Sequence, residues 1–228
     1  MRPFIVAIDG PAGAGKSSVS KLLARRLGFT FVDTGAIYRA VALSARRQGI
    51  GYEQDEALAG LLGRIQIGFQ VAEDENRVLL NGEDVSAAIR TPEISLGASA
   101  VSARKVVREG LLQLQRRLAL AAPVGAVLEG RDIGTVVFPD ADLKFFLLAK
   151  PEVRARRRYE ELFQKGTESS LDEVLADQTK RDHDDASRAI APLKPAEDAV
   201  QVDSSELPLS EVVRSLERVI RQRMAAPR

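Results

Sequence analysis

Between the apolar run Phe4-Ile5-Val6-Ala7-Ile8 and an amphipathic stretch carrying Val19, Leu22, Leu23 and Leu27, the chain reads Gly10-Pro11-Ala12-Gly13-Ala14-Gly15-Lys16-Ser17. A buried-type strand, a glycine-rich turn and a helix follow one another, and no other stretch limits the fold so narrowly. The order glycine, four residues, glycine, lysine, serine fills every fixed place of a phosphate-binding loop. Glycines let backbone N–H groups turn inward around a polyphosphate, and the helix points the positive end of its dipole at the same anion. Lys16 would reach the β- and γ-phosphates as a mobile point charge, and the Ser17 hydroxyl is placed to hold Mg²⁺. A small-residue turn before a helix need bind nothing. Three glycines and a proline in six residues, however, make a turn costly in entropy, and a lysine aimed into it opposes the helix dipole unless an anion is present. Gly10, Pro11, Ala12, Gly13, Ala14, Gly15, Lys16, Ser17 and Ser18 are therefore the expected contacts to the donor phosphates.

Length allows one sizeable core or two small ones in 228 residues, and 45% hydrophobic with 29% charged residues is an ordinary globular composition. Lys and Arg total 33 against 32 Asp and Glu, a net charge of +1, so bulk charge makes no case for nucleic acid or an anionic membrane. With no cysteine and one histidine, His183, disulfides and thiolate metal sites are ruled out and a transition-metal centre is disfavoured. His183 is given no role, since a lone histidine on an exposed helix is usually solvated. Met1-Arg2-Pro3 leads into the first strand without a signal-peptide pattern, and no apolar run nears the ~18 residues of a membrane helix. A cytoplasmic monomer is expected.

The loop's helix should run to Leu27 and stop at Gly28, with Phe29-Thr30-Phe31-Val32-Asp33 as a second strand in a parallel β-α-β unit. Helices are expected after Thr34 as far as Gln48-Gly49, and over 55–62. From Ile65 to Val71 apolar and polar residues alternate, as in a half-buried antiparallel strand. An acidic turn at 72–76 leads to Arg77-Val78-Leu79-Leu80 and then Asn81-Gly82, a strong hairpin signal. A small antiparallel sheet is thus inserted at about 63–85, within an inserted subdomain of 63–102. Further helices are read at 93–102, 104–121, 151–165, 171–188 and 209–224, and strands at 124–128, 143–148 and 199–203. Polar residues at the carboxyl ends of parallel strands, such as Glu129-Gly130-Arg131-Asp132, sit where α/β ligands bind. The paired helices of 151–188 are expected to move as a lid.

Arg181, Asp185 and Arg188 stand at i, i+4 and i+7, so at ~100° per residue they lie within about 60° of arc on one helical face. Asp182 and Asp184 point elsewhere. A solvated i,i+4 ion pair would explain an isolated Arg-x-x-x-Asp. Here Ala189-Ile190-Ala191-Pro192-Leu193 stops the helix at once, and Arg39 and Arg131 also follow strands expected to end near the glycine loop. Arginines converging in this way repel one another unless a multiply charged ligand lies among them.

These residues carry a resemblance. Asp9-Gly10-Pro11-Ala12-Gly13-Ala14-Gly15-Lys16, Asp33-Thr34-Gly35-Ala36-Ile37-Tyr38-Arg39, Leu80-Asn81-Gly82-Glu83-Asp84-Val85 with Ile89-Arg90-Thr91, the stretch from Glu129 through Arg131-Asp132-Ile133-Gly134 to Pro139, and Arg188-Ala189-Ile190-Ala191-Pro192-Leu193 resemble the bacterial cytidylate kinases of the nucleoside monophosphate kinase superfamily, nearly end to end. The resemblance implies an α/β P-loop kinase fold: a doubly wound sheet of about five parallel strands with helices on both faces, a small antiparallel insertion and a helical lid, as one unit of 1–228. It implies ATP and Mg²⁺, and transfer of the γ-phosphoryl group to CMP and dCMP. Arg39, Arg131 and Arg188 would hold the acceptor phosphate with Thr34 close by, Lys16, Arg131 and Arg188 serving catalysis. Ser99, Arg108 and Asp132 would read the cytosine, Arg181 and Asp185 would meet the ribose, and Arg154, Arg157 and Arg158 would close over ATP. Thr34 stands where serine is usual, and Glu129 where some members carry aspartate. Glu129 could hold a magnesium-bound water or serve as a partner of Arg131. The acceptor phosphate is already an anionic nucleophile near neutral pH, so no general base is required. A kinase of the same fold for UMP, AMP or shikimate is the nearest rival, and a nucleotide-gated switch a more distant one because no Asn-Lys-x-Asp tetrapeptide occurs.

Overall fold

The structure is a computed structural model that describes residues 2–72, 75–164 and 166–226. Of the acidic turn expected at 72–76, Glu73 and Asp74 lie outside the described residues, and Ala72, Glu75 and Asn76 belong to the antiparallel ladder instead, Ala72 pairing with Glu75 and Val71 with Asn76. Two compact units are distinguished, Met1–Val32 with Arg116–Arg228, and Asp33–Gln115.

In the first unit β1 (Phe4–Asp9) is buried along its whole length, as a central strand with helices on both faces must be. The chain continues through α1 (Lys16–Leu27) to β2 (Thr30–Asp33) and returns to the sheet in β6 (Gly125–Gly130), β7 (Leu143–Leu148) and β8 (Val200–Asp203). The strand order is β2-β6-β1-β7-β8, with β1 parallel to both β6 and β7 and β8 parallel to β7. Register pairs Asp9 with Gly130, so β1 and β6 finish level and the residues after both strands emerge side by side. Ligands in open α/β sheets bind at such carboxyl ends. Below them Phe4, Val6 and Ile8 of β1, Val19 and Leu23 of α1, and Val212, Val213, Leu216 and Ile220 of α8 (Leu209–Ala225) form one core. Gly28, at φ 66°, closes α1 in the left-handed conformation and donates to the carbonyls of Ala24 and Arg25.

Between β7 and β8 lie α6 (Pro151–Gln164) and α7 (Leu171–Ser187). Ser170 and Glu173 form a reciprocal capping box at the start of α7. The other end departs from the sequence reading: α7 stops at Ser187, and Arg188 is extended at φ −63°, ψ 140°. The Leu193 N–H donates to the Asp185 carbonyl at 2.8 Å, so the chain doubles back and Arg188 is not the third member of a helical stripe.

In the second unit Asp33 accepts from the Ala36 N–H at 2.8 Å, capping α2 (Thr34–Arg47). After α3 (Asp55–Leu62) comes the antiparallel sheet of β3 (Ile67–Ala72), β4 (Glu75–Leu80) and β5 (Glu83–Asp84). Asn81 and Gly82 both have positive φ, 52° and 85°, and join Leu80 to its partner Glu83, the geometry the Asn-Gly pair favours. β3 begins at Ile67 and not Ile65, because the N–H groups of Arg64 and Ile65 still bond back to Leu61. A short 3₁₀ turn (Ala88–Arg90), α4 (Pro92–Ser102) and α5 (Lys105–Leu120) follow. No helix among the described residues is long and apolar enough to cross a membrane.

Candidate active site

Two of the loop's glycines are required by space as well as by conformation. At Gly10 (φ 149°) a Cβ would collide with the Leu147 carbonyl oxygen, and at Gly13 (φ 75°) it would lie 2.8 Å from Gln178 Nε2 and 3.1 Å from Arg154 Cβ. Lys16 opens α1 almost wholly buried, and its Nζ donates to the Pro11 carbonyl at 2.7 Å. Burial first, then the Arg131 guanidinium, pushes the Lys16 ammonium down to about 7. A phosphate placed in the loop would favour the charged form again. Ser17 Oγ donates to Glu129 Oε2 at 2.9 Å, setting a hydroxyl from the first turn of α1 against a carboxylate near the end of β6.

The loop is also held from α6 and α7. Arg154, 4% exposed, donates through Nη1 to the Ala12 carbonyl at 2.8 Å and pairs with Asp182 Oδ2 at 2.6 Å. Asp182 Oδ1 accepts from the Ala12 N–H at 3.3 Å. A carboxylate thus meets a backbone donor of the anion loop. Asp182 lies off the Arg181–Asp185 face and so outside the site the spacing predicts, and that same offset turns it toward Arg154. Arg157 donates to the Ser204 carbonyl at 2.6 Å, and Ser204 Oγ to that of Ala14. Arg158 pairs with Glu161 on its own helix.

At the end of β6, Arg131 Nε donates to Asp185 Oδ2 at 2.9 Å, and Arg188 Nη1 to Asp185 Oδ1 at 3.2 Å. One carboxylate therefore gathers two guanidiniums, which together still carry an excess positive charge beside the glycine loop. Arg188 Nε is tied to the Ala191 carbonyl at 2.6 Å, with Ala191 at φ 49°. Asp185 and Arg188 are brought together as the spacing implied, although through a turn and not along a helix. Arg181 is half-buried on α7, and His183 is exposed.

After Arg131 comes buried Asp132, then a single π-helical turn (Ile133–Val137). Asp9 Oδ1 accepts from the Ile133 N–H at 2.8 Å and Oδ2 from that of Gly134 at 2.7 Å. Burial outweighs these two donors and raises the Asp9 carboxyl from 3.8 to about 6, with Asp132 adding to the rise and Lys16 opposing it. The sequence by itself assigns Asp9 no role. The available signal was an acid closing an otherwise wholly apolar strand.

Within the second unit, Arg39 Nη2 pairs with Asp33 Oδ2 at 3.0 Å, beside buried Thr34 in the first turn of α2. Arg108, also buried, lies 5.6 Å over the Tyr38 ring and donates to the Ser102 carbonyl at 2.9 Å. Ser99 Oγ donates to the Ser95 carbonyl at 3.4 Å.

Residues 6–222 match the family described as Cytidylate kinase. The chain belongs to the cytidylate kinase family. It is 56% identical over 225 residues to a protein named cytidylate kinase from Geobacter sulfurreducens, covering 99% of this chain and 96% of that one. A cytidylate kinase from Mycobacterium leprae is 48% identical over 226 residues, 99% of each chain. In this cytidylate kinase family member the loop that opens α1 and the cluster closing β6 are both built from oriented donors and cations, which suits binding of multiply charged anions.

Proposed function

We propose that the protein phosphorylates CMP, and dCMP, by moving the γ-phosphoryl group of ATP in line onto the acceptor's phosphate oxygen, giving the diphosphate and ADP. The observation that carries this reading is the cluster of Lys16, Arg131 and Arg188 around Asp185 at the loop end of the sheet, in a chain of the cytidylate kinase family. The acceptor phosphate is already anionic near neutral pH, so the task is to bring two polyanions together and neutralise the group in flight. The loop's backbone N–H groups between Gly10 and Ser18, of which Pro11 supplies none, hold the donor phosphates, and Lys16 exchanges the Pro11 carbonyl for them. Arg131 and Arg188 turn from Asp185 to the acceptor phosphate, with Arg39 and Thr34 assigned to the same group. Ser99, Arg108 and Asp132 read the base, while Arg181 and Asp185 take the ribose.

Ser17 Oγ and Glu129 Oε2, hard oxygen donors 2.9 Å apart, suit Mg²⁺, the hydroxyl as a ligand and the carboxylate through a water. When bound, Mg²⁺ supplies positive charge against the β- and γ-phosphates. Arg154, Arg157 and Arg158 are assigned to ATP, and closure of α6 and α7 keeps water from the transferring group. A coupled assay of ATP consumption with CMP, dCMP, UMP and AMP in parallel tests the reading. Turnover is expected with CMP and dCMP well above UMP and AMP, and ATP hydrolysis indifferent to the acceptor would overturn it.

A further inference from the structure

We propose that Asp9 is a positioning residue for acceptor recognition: its carboxylate, by gripping the amides of Ile133 and Gly134, sets the backbone that aims Arg131 and Asp132. The inference rests on the reading above, in which those two residues face CMP.

The main chain of Asp9 is already placed by the sheet, where it stands in register with Gly130 of β6 and Phe146 of β7. Its side chain adds nothing to that ladder and carries a charge into a site only 4% exposed, an arrangement disfavoured unless the charge is well partnered. The partners are the two amides at 2.8 and 2.7 Å, one to each carboxylate oxygen. They open the π turn, where N–H groups have no partner within the helix and need one from outside. Asp132 occupies the N-cap position but makes no capping hydrogen bond with its side chain. Capping is done by an acid from another strand.

The segment is pinned at both ends. Gly130 is fixed by its pairing with Asp9, and Ile133 and Gly134 by the Asp9 carboxylate, so Arg131 and Asp132 alone lie between the pins. Asp132 takes φ −145°, ψ 23°, outside the helical and extended regions, where a backbone persists only if its surroundings hold it. The grip is close. A Cβ at Gly134 would lie 3.1 Å from Lys144 Cδ and 3.4 Å from Asp9 Oδ2, and Lys144 cannot easily yield, being tied at Nζ to the Pro139 carbonyl and to Asp198. Two parallel donors need two acceptor oxygens. A carboxylate supplies both, whereas an amide of the same shape supplies one and sets an NH₂ against the other donor.

The test compares wild type with Asp9→Asn and, as a variant that leaves the charge intact, Gly134→Ala. Steady-state kinetics with CMP, UMP and ATP are measured beside hydrogen exchange at the amides of Ile133 and Gly134. In Asp9→Asn we expect kcat/KM for CMP to fall about 10-fold or more, the CMP preference over UMP to narrow by a similar factor, and KM for ATP to stay within about twofold. Exchange at Ile133 or Gly134 should quicken. Gly134→Ala should show the same pattern more weakly, and carries the test if Asp9→Asn does not fold. A base preference unchanged in the folded variants, or exchange at both amides as slow as in wild type, overturns the positioning role. Absence of CMP-dependent turnover in the wild-type chain would instead overturn the functional reading, while the exchange rates still report whether Asp9 holds the turn.

Discussion

The turns that close β1 and β6 lie side by side, yet they acquire their polar geometry in opposite ways. After β1, the groups that would face an anion belong to one contiguous stretch, braced from outside by Arg154 and Asp182: glycines at positive φ aim the backbone, and the lysine that serves it is tethered five residues back at Pro11. After β6, side chains carry the arrangement and remote residues impose it. Asp185 holds Arg131 from 54 positions away, and Asp9 holds the amides after Asp132 from 124 and 125 positions away. A site made of main chain can be written as a local motif, whereas one made of side chains is spread over the sequence by the fold.

The sharpest way to break that contrast is Lys16→Ala. If the first turn works through its backbone with a single mobile charge, the variant keeps its fold while transfer to CMP falls roughly 10³-fold. The melting temperature near neutral pH should hold or rise. Burial depresses the Lys16 ammonium to about 7 from 10.5, so the folded chain binds that proton more weakly than the unfolded one. The resulting cost is full below pH 7 and is relieved as pH rises toward 10.5. Near-normal turnover with CMP would mean that this loop is not the donor site.

How much was legible follows from the same contrast. β7 spans Leu143–Leu148 as its apolar run predicts, and the Asn81-Gly82 turn and the parallel and antiparallel sheets follow from periodicity and turn chemistry, which are local. The spacing of Arg181, Asp185 and Arg188 gathered the right charges for a partly wrong reason. It assumed a helix through Arg188, while a backbone bond from Leu193 to Asp185 ends it at Ser187. Asp182 points off that face, and nothing local shows that Arg154 lies there at 2.6 Å. The role of Asp9 depends on which strand lies beside β1, and that is a property of the sheet.

Arg188→Met tests the second turn at a smaller amplitude. The substitution keeps most of the stem and removes the charge, so kcat/KM for CMP should fall by ~100-fold, as for ~3 kcal/mol from a desolvated charge-assisted contact. KM for ATP should barely move. Asp185 retains Arg131 at 2.9 Å, so no carboxylate is left buried alone, and the melting temperature should drop only by a few degrees. Normal kinetics with a lowered melting temperature would reduce the cluster to a structural ion network.

The smallest effect separates positioning from plain support, and it concerns Asp9. With its carboxyl raised from 3.8 to about 6, the folded chain holds this proton more tightly than the unfolded one between those values. Ionised Asp9 therefore costs stability, increasingly as pH rises through that window and fully above pH 6. Only the ionised form, however, accepts both amides; a proton turns one oxygen into a donor facing an N–H. Asp9→Asn fixes that protonated-like state at every pH. The wild-type advantage over Asp9→Asn in kcat/KM for CMP should accordingly be constant from pH 7 to 8 and shrink between pH 6 and 5. Titration of the substrate's phosphate is common to both proteins and cancels in the ratio, and Asp132 and Lys16, the charged neighbours of Asp9, are present in both. Stability should move the other way, the wild type losing about 1 kcal/mol relative to the variant between pH 5 and 7. Relative activity and relative stability thus diverge over one pH range. A residue that merely supports the fold would shift both in the same sense, so parallel profiles of the kcat/KM ratio and of the melting-temperature difference would refute the positioning role.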